Sequence, residues 1–385
     1  MGSIEILYIT SDASIYGANS SLVNLLQSLK NIKGNNIRVN YLVIIPFKGP
    51  IENTFKELGI PYSIVFYRED TALWNKSASS YLSYIPKFFY KCWVERFAIK
   101  KLQHIVSEKK IQIIHSNSSV IGIGLHLAIK CKIKHVWHLR EFQDLDFNLR
   151  PYRGWNHLHK EINKSNAVIS ISKSIAQHFK VKNNSYIIFN AVSNEKMIQS
   201  PCKKESYFLF CGAFLPNKGV HIAIRAFTEL NKIHPGYKLY IAGTAISAYK
   251  DYEMELKNMV KESNLNESIL FLGYRNDTKQ LMVKALALLM CSKSEAMGRV
   301  TPEAMLSNCI VIGYNNAGTK EMVTHGITGL LYQNECELVN LMSDIILGRI
   351  DTEILQKNAF SYAKENFLEE NYGNKILDIY ESIIK

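Results

Sequence analysis

Short apolar runs alternate with longer amphipathic or polar stretches along most of the chain. "IEILYIT" is followed by "NSSLVNLLQSLK", and "RVNYLVIIP" by "IENTFKEL". "IQIIHS", "IKHVWHL", "NAVISIS" and "SYIIFNA" continue the series. Each run is rich in β-branched and aromatic residues and too short for a helix, so each reads as a buried strand. Strands separated by helical stretches predict parallel βαβ units. The polar stretch "SNEKMIQSPCKKES" (193–206) interrupts the series, which then restarts with "SYFLFCG", "YKLYIAG", "SILFLGY", "LALLMCS", "CIVIGY" and "TGLLYQ". A chain of 385 residues is too long for one ordinary core. The expected architecture is α/β: two Rossmann-like domains facing each other across a cleft. The first spans 1–192, a linker 193–206 follows, and the second spans 207–365. A C-terminal helix, 366–385, is expected to pack back toward the first domain. In open α/β sheets, ligands bind beyond the carboxyl ends of the strands, so chemistry is sought there.

One segment departs from the pattern. "YIPKFFYKCWVERFAIKKLQ" sets Phe89, Trp93 and Phe97 at helical spacing, among Lys87, Lys91, Arg96, Lys100 and Lys101. A basic, aromatic amphipathic helix suits either an anionic membrane or acceptor surface, or a crossover helix that packs its rings on the sheet. Charge adds weight to the first possibility. Residues 1–200 hold 26 Lys and Arg against 13 Asp and Glu, whereas 201–385 hold 20 against 21. The excess therefore lies in the first half, which implies an anionic partner there. The seven cysteines are scattered, with no C-x-x-C pair, as befits free thiols in a reducing compartment. No apolar run is long enough to span a bilayer, and the start reads as a strand rather than a signal peptide. A cytoplasmic protein, peripheral at most at the inner membrane face, is expected.

Candidate chemistry concentrates in "SEAMGRVTPEAM" (Ser294–Met305), which follows an apolar run. Thr301 and Pro302 fit an N-cap and first helical position, putting Glu303 in the first turn. Glu295 precedes the helix, at the strand end. The segment between them, with Gly298 and Arg299, would offer backbone N–H groups and a fixed cation to an anion. Carboxylates bind hydroxyls, not phosphates. A diphosphate held in the middle with a sugar at each end, as in a nucleotide-sugar, fits this order of groups.

The block "SEAMGRVTPEAMLSNCIVIGYNNAGTKEMVTHGITGLLY" (294–332) closely resembles the signature of glycosyltransferase family four, retaining enzymes of the GT-B fold. "YGANSSL", "HSNSS", "VWHLREF", "ISISKSIAQHF", "IIFNAV", "FCGAFLPNKGV", "YIAGT" and "FLGYRND" extend the likeness over nearly the whole chain. The resemblance implies residue roles. Glu303 would bind the ribose, and Glu295 the donor sugar. Met297, Gly298, Arg299, Val300 and Thr301 would hold the sugar and distal phosphate by their backbone. Lys218 would neutralise the diphosphate, with Gly212 and Gly17 letting backbone approach it. Tyr274 and Arg275 would flank the base, and His138 would meet the donor sugar and acceptor. Glu295 and His138 are the catalytic candidates. The chain departs from the family pattern at Ala213, where an Arg is common, at Ala18, and at Ala317.

The implied reaction moves a sugar from a nucleotide-diphosphate donor to a hydroxyl of a saccharide acceptor, with retention and without a metal or other cofactor. The basic first half suggests an acceptor linked to a lipid diphosphate, as in surface-polysaccharide assembly. "DLD" (Asp144–Asp146) imitates the metal motif of the other glycosyltransferase fold, which would not explain a second Rossmann series. "GIGLHL" lacks the third glycine of a dinucleotide fingerprint. A sugar-nucleotide epimerase of the same fold, or a basic nucleotide- or nucleic-acid-binding module, are the rival readings. The module leaves both glutamates idle, and no nucleic-acid partner is expected.

Overall fold

The computed structural model describes residues 2–15, 17–32, 37–74, 78–195 and 198–385, with side chains inside the helix 78–108 from residue 82 onward. Tyr16 of the first loop, and Lys196 and Met197 of the expected linker, lie outside the described residues. The chain forms two compact units: Met1–Ala191 with Glu369–Lys385, and Val192–Leu368.

The first unit contains β1 (Gly2–Ile9), β2 (Ile37–Ile45), β3 (Tyr62–Ile64), β4 (Thr71–Leu73), β5 (Ile113–Ser116), β6 (Lys134–Leu139), β7 (Leu149–Pro151), β8 (Ala167–Ser170) and β9 (Ser185–Ile187). Seven of them form a parallel sheet in the order β3-β2-β1-β5-β6-β8-β9, while β4 and β7 pair antiparallel as a separate ribbon. Both faces of the sheet are covered, which is why its strands are continuous apolar runs. Along β1, Ile4, Ile6 and Tyr8 enter one core and Leu7 and Ile9 the other, following the two-residue pleat. The helix Ala18–Asn31 buries Leu22, Leu25, Leu26 and Leu29, one stripe at helical spacing. The C-terminal helix Glu369–Ile384 lies in this unit, with Tyr372, Ile376, Ile379 and Tyr380 in the same core. Gly373 permits that contact, since a β-carbon there would stand 2.9 Å from the Ser28 side chain.

The second unit contains β10 (Tyr207–Cys211), β11 (Lys238–Ala242), β12 (Ile269–Gly273), β13 (Ala287–Met290), β14 (Ile310–Tyr314) and β15 (Leu330–Tyr332). They form one parallel sheet, ordered β12-β11-β10-β13-β14-β15. The order runs outward from β10 to β12 and then, on the other side, from β13 to β15. The winding therefore reverses between β10 and β13. The corresponding reversal in the first unit falls between β1 and β5. Such switch points are where loops diverge and leave a crevice beyond the strand ends.

Candidate active site

In the second unit, the two loops leaving the switch strands carry most of the expected donor residues. Lys218 ends a short 3₁₀ turn, Pro216–Lys218, after β10, and Glu295 lies in the loop after β13. Lys218 Nζ donates to Glu295 Oε2 at 2.6 Å, with 29% and 13% of the two side chains exposed. Tight backbone packing fixes the loops. Gly219 has φ +75°, and a β-carbon on it would lie 2.4 Å from the Cys291 carbonyl oxygen. Gly298 has φ +72°, and its missing β-carbon would fall 2.7 Å from both Glu295 Cγ and Met290 Cε. Glycine is thus favoured at both positions by conformation, and required at Gly219 also by the backbone packed against it. Gly212 continues β10, its N–H donating to the Ala242 carbonyl at 3.0 Å.

The segment before "TKEM" supports Glu295 from behind. Gly318 N–H donates to the Glu295 carbonyl oxygen at 2.8 Å, and the Asn316 side chain donates to the Lys293 carbonyl at 2.8 Å. Ala317, where the family pattern has glycine, is held at φ +44°. That left-handed backbone costs an L-residue about 1–2 kcal/mol.

The helix after Glu295 runs Val300–Leu306. It begins two residues earlier than expected: Arg299 is the residue at its N-cap, with no side-chain cap, and Thr301 is already helical. The N–H of Thr301 donates to Gly298 O at 3.0 Å, so the Gly298 turn rather than a threonine hydroxyl starts the helix. Thr301 is fully buried, and its Oγ1 has no hydrogen-bond partner among the described residues. Met297 is buried, and Val300 half-buried. Glu303 remains in the first turn, 3.9 Å from Arg299 Nη2. Burial pushes the Glu303 carboxyl up, and Arg299 and Lys279 oppose the shift. Arg299 thus stands beside Glu303, while Ala213, at the position of the family's common arginine, is exposed. Tyr274 and Arg275 follow β12, two strands from β10. Tyr274 is 69% exposed, and Arg275 forks onto Asp277 at 2.8 and 2.5 Å.

In the first unit the switch-point loops hold Gly17 and a buried polar cluster. Gly17 has φ +56° and ψ −123°, a conformation reserved for glycine. His138, near the end of β6, is fully buried. Its Nδ1 meets His115 Nε2 and Arg140 Nη2, each at 3.2 Å, and its Nε2 has no partner. Burial, then Arg140 and His115, holds the imidazole far below its ordinary pKa, so His138 is neutral. Beside it, Glu141 accepts from Ser118 Oγ at 2.7 Å and from Ser119 N and Oγ at 2.6 and 2.5 Å. Sequence reading did not assign roles to Arg140, His115 or Glu141. "HSNSS" and "WHLRE" at adjacent strand ends were the available signal.

The 31-residue helix Ala78–Glu108 carries the expected basic aromatic surface, with one correction. Phe89, Trp93 and Phe97 are each more than half exposed, and Lys87, Arg96, Lys100 and Lys101 are exposed with them. Ala98, Ile99, Leu102 and Val106 face the core instead, and Val94 is buried. Lys91 is not part of the exposed face. It is 3% exposed, and its ammonium is paired with Asp70 and Glu95. Position 91 shares the inward stripe with 94, 95 and 98, so the lysine is buried and must be neutralised there. Asp144 and Asp146 of "DLD" diverge. Asp144 Oδ1 lies 3.0 Å from His178 Nε2, and Asp146 Oδ2 accepts from Phe142 N at 2.8 Å.

Residues 193–363 match the family model of the glycosyl transferases group 1. That match spans nearly the whole of the second unit, which is therefore similar to the group 1 glycosyltransferases. An uncharacterized glycosyltransferase of Methanocaldococcus jannaschii is 28% identical over 74% of this chain and 80% of its own. The Salmonella typhimurium O-antigen chain mannosyltransferase RfbU is 33% identical over 41% of this chain and 43% of its own. Among solved structures, Anabaena HepE in complex with UDP is similar with a TM-score of 0.80. The match covers 98% of this chain and all of that one at 20% identity, so it shows the fold, GT-B. For this glycosyltransferase, the signature block of the sequence and the switch-point loops of the second unit are the same residues.

Proposed function

We propose that this glycosyltransferase transfers a sugar from a nucleoside-diphosphate donor to a hydroxyl of a saccharide acceptor, with retention of configuration. The observation that carries this reading is the grouping of Lys218, Glu295 and the Gly298 turn at the switch point, with Glu303 one helical turn on. In this reading Lys218 and the backbone around Gly298 hold the diphosphate, and Glu303 accepts from the ribose hydroxyls. Glu295 accepts from hydroxyls of the transferred sugar. As the nucleoside diphosphate leaves, negative charge grows on its phosphates, and in this reading Lys218 and backbone N–H groups stabilise it. The mechanism is assigned no metal, and the leaving phosphate itself takes the acceptor proton. HepE has also been crystallised with UDP-glucose, which favours a uridine donor here.

The exposed Phe89, Trp93 and Phe97 with Arg96, Lys100 and Lys101 support an acceptor carried on an anionic lipid. Aromatic rings buried at the headgroup boundary together with basic side chains are what such a surface binds.

Thermal-shift screening against UDP-, GDP-, ADP- and CMP-sugars identifies the donor, because a bound ligand stabilises by mass action. Nucleotide release that depends on an acceptor distinguishes transfer from epimerisation. Glu303→Ala should weaken binding of the selected nucleoside diphosphate about 10- to 100-fold, the loss of one charge-assisted hydrogen bond. Unchanged affinity would overturn the assignment of the ribose site.

A further inference from the structure

His138 has two nitrogens in unequal surroundings, and its neighbours settle which one carries the proton. Arg140 is 5% exposed, and a guanidinium can only donate. Its Nε donates to Asn117 Oδ1 at 2.9 Å, its Nη1 to Asn190 Oδ1, and its Nη2 to Tyr372 Oη at 3.3 Å and His138 Nδ1 at 3.2 Å. Every one of these acceptors is neutral, and each is fixed on a strand end, a loop or the C-terminal helix. Since Nδ1 of His138 accepts from Arg140, it bears no proton. His115 Nε2, 3.2 Å from the same Nδ1, must then be a donor, sharing that nitrogen's single lone pair with Arg140. Neutral His115 consequently accepts at Nδ1, where Tyr380 Oη donates at 2.8 Å. Tyr380 Oη in turn accepts from Tyr8 Oη, also at 2.8 Å. The direction of every bond follows from the one group that cannot accept.

We propose that this one-way chain, Tyr8 to Tyr380 to His115 to His138, closed by Arg140, fixes His138 as a neutral Nε2–H donor awaiting a ligand oxygen. Its Nε2 is buried and has no partner among the described residues. An unpaired buried donor is destabilising, a cost removed when an oxygen arrives. A hydroxyl oxygen of the transferred sugar or of the acceptor matches a neutral donor. His138 is in this view a hydrogen-bond donor rather than an acid or base. Arg140, His115 and Tyr380 are positioning residues acting through it. The charged and titratable groups facing the pair are Arg140 directly after β6, His135 within β6, and Tyr8, Tyr372 and Tyr380. The Arg140 charge and burial both disfavour a second proton on either ring. This inference rests on the donor-transfer reading above only for the identity of the oxygen. The tautomer stands independently of it.

The test is long-range proton–nitrogen correlation NMR on the full-length protein labelled with ¹⁵N-histidine, assigned with His138→Gln. The expected spectrum shows His138 as the Nε2–H form, with no titration in the ordinary imidazole window around about 6.5. A proton on Nδ1, or titration in that window, would overturn the proposal. Tyr380→Phe removes the donor to His115 while keeping the ring in the core. It should shift the His115 nitrogen signals and lower kcat on the selected nucleotide-sugar about two- to tenfold, the worth of one buried hydrogen bond. The Kd for the nucleoside diphosphate should not change. Unaltered His115 signals and unaltered kcat in a folded Tyr380→Phe protein would likewise overturn the positioning role. Failure of the nucleoside-diphosphate assignment would show separately, in Glu303→Ala.

Discussion

In the free protein Lys218 is held by Glu295, yet the proposed reaction asks Lys218 to face a diphosphate. Binding must therefore loosen or share a 2.6 Å ion pair. An exposed pair is worth at most about 1 kcal/mol, and a charge-assisted hydrogen bond sheltered from solvent about 1.5–3 kcal/mol. With 29% and 13% of the side chains exposed, this pair belongs between those cases, at about 1–2 kcal/mol. Glu295→Gln keeps the shape of the side chain and removes its charge, leaving Lys218 free to meet the ligand. At about 1.4 kcal/mol per tenfold, the selected nucleoside diphosphate should bind about 5- to 30-fold more tightly to Glu295→Gln than to the parent. Turnover should nonetheless fall, because the carboxylate that accepts from the sugar is gone. Lys218→Met should do the opposite to affinity. Titration calorimetry of the three proteins at physiological salt, with turnover measured in parallel, separates these effects. Weaker or unchanged nucleoside-diphosphate binding by Glu295→Gln would refute the competition between Glu295 and the diphosphate for Lys218.

Four further outcomes follow from the same geometry. Ala317→Gly relieves a φ of +44° and should raise stability by about 0.5–1 kcal/mol, the left-handed strain less the added chain entropy of glycine, as read by urea unfolding. Lys91→Met removes the buried ammonium shared by Asp70 and Glu95 and should cost about 3–5 kcal/mol, whereas Arg96→Ala, on the exposed face, should change stability by less than about 0.5 kcal/mol. Arg96→Ala should instead weaken binding to vesicles containing anionic lipid, a binding that in the parent declines as salt rises. Absence of such binding in the parent would remove the lipid-surface proposal. The ion network should also shape stability against pH. Burial opposes a charge on His126, but Glu161 and Glu95 outweigh it and raise its pKa to about 10 from 6.5. Its contribution is complete below pH 6.5 and is lost as pH rises through about 10. Glu95 is lowered to about 2 from 4.5, because His126 and Lys91 outweigh the effect of burial, so its contribution is lost as pH falls below 4.5. Full strength is expected between pH 4.5 and 6.5, and His126→Gln should flatten the alkaline limb in chemical unfolding.

Much was legible from the sequence because it is local. Apolar runs such as "IEILYI" and "LALLM" can be buried on both faces only as parallel strands under helices, so the α/β class followed from pattern alone. The block from Glu295 to Glu303 is also local: nine consecutive residues carry a loop, a turn and a first helical turn, and their order already suggests a diphosphate between two hydroxyl-binding carboxylates. Tertiary structure decided what depends on distance along the chain. Strand order is set by packing between segments far apart, and only it puts β10 beside β13, and hence Lys218 on Glu295. A helical wheel drawn through residues 87–101 does not say which side meets the sheet, so Lys91 counted as surface until the fold turned it inward. The proton on His138 is the furthest from the sequence. It depends on Tyr380, 242 positions later in the numbering, because the C-terminal helix completes the first unit's core and brings its hydroxyl to His115. Local periodicity specifies which residues are buried. Only the folded contacts specify which buried polar atoms are satisfied and which are not.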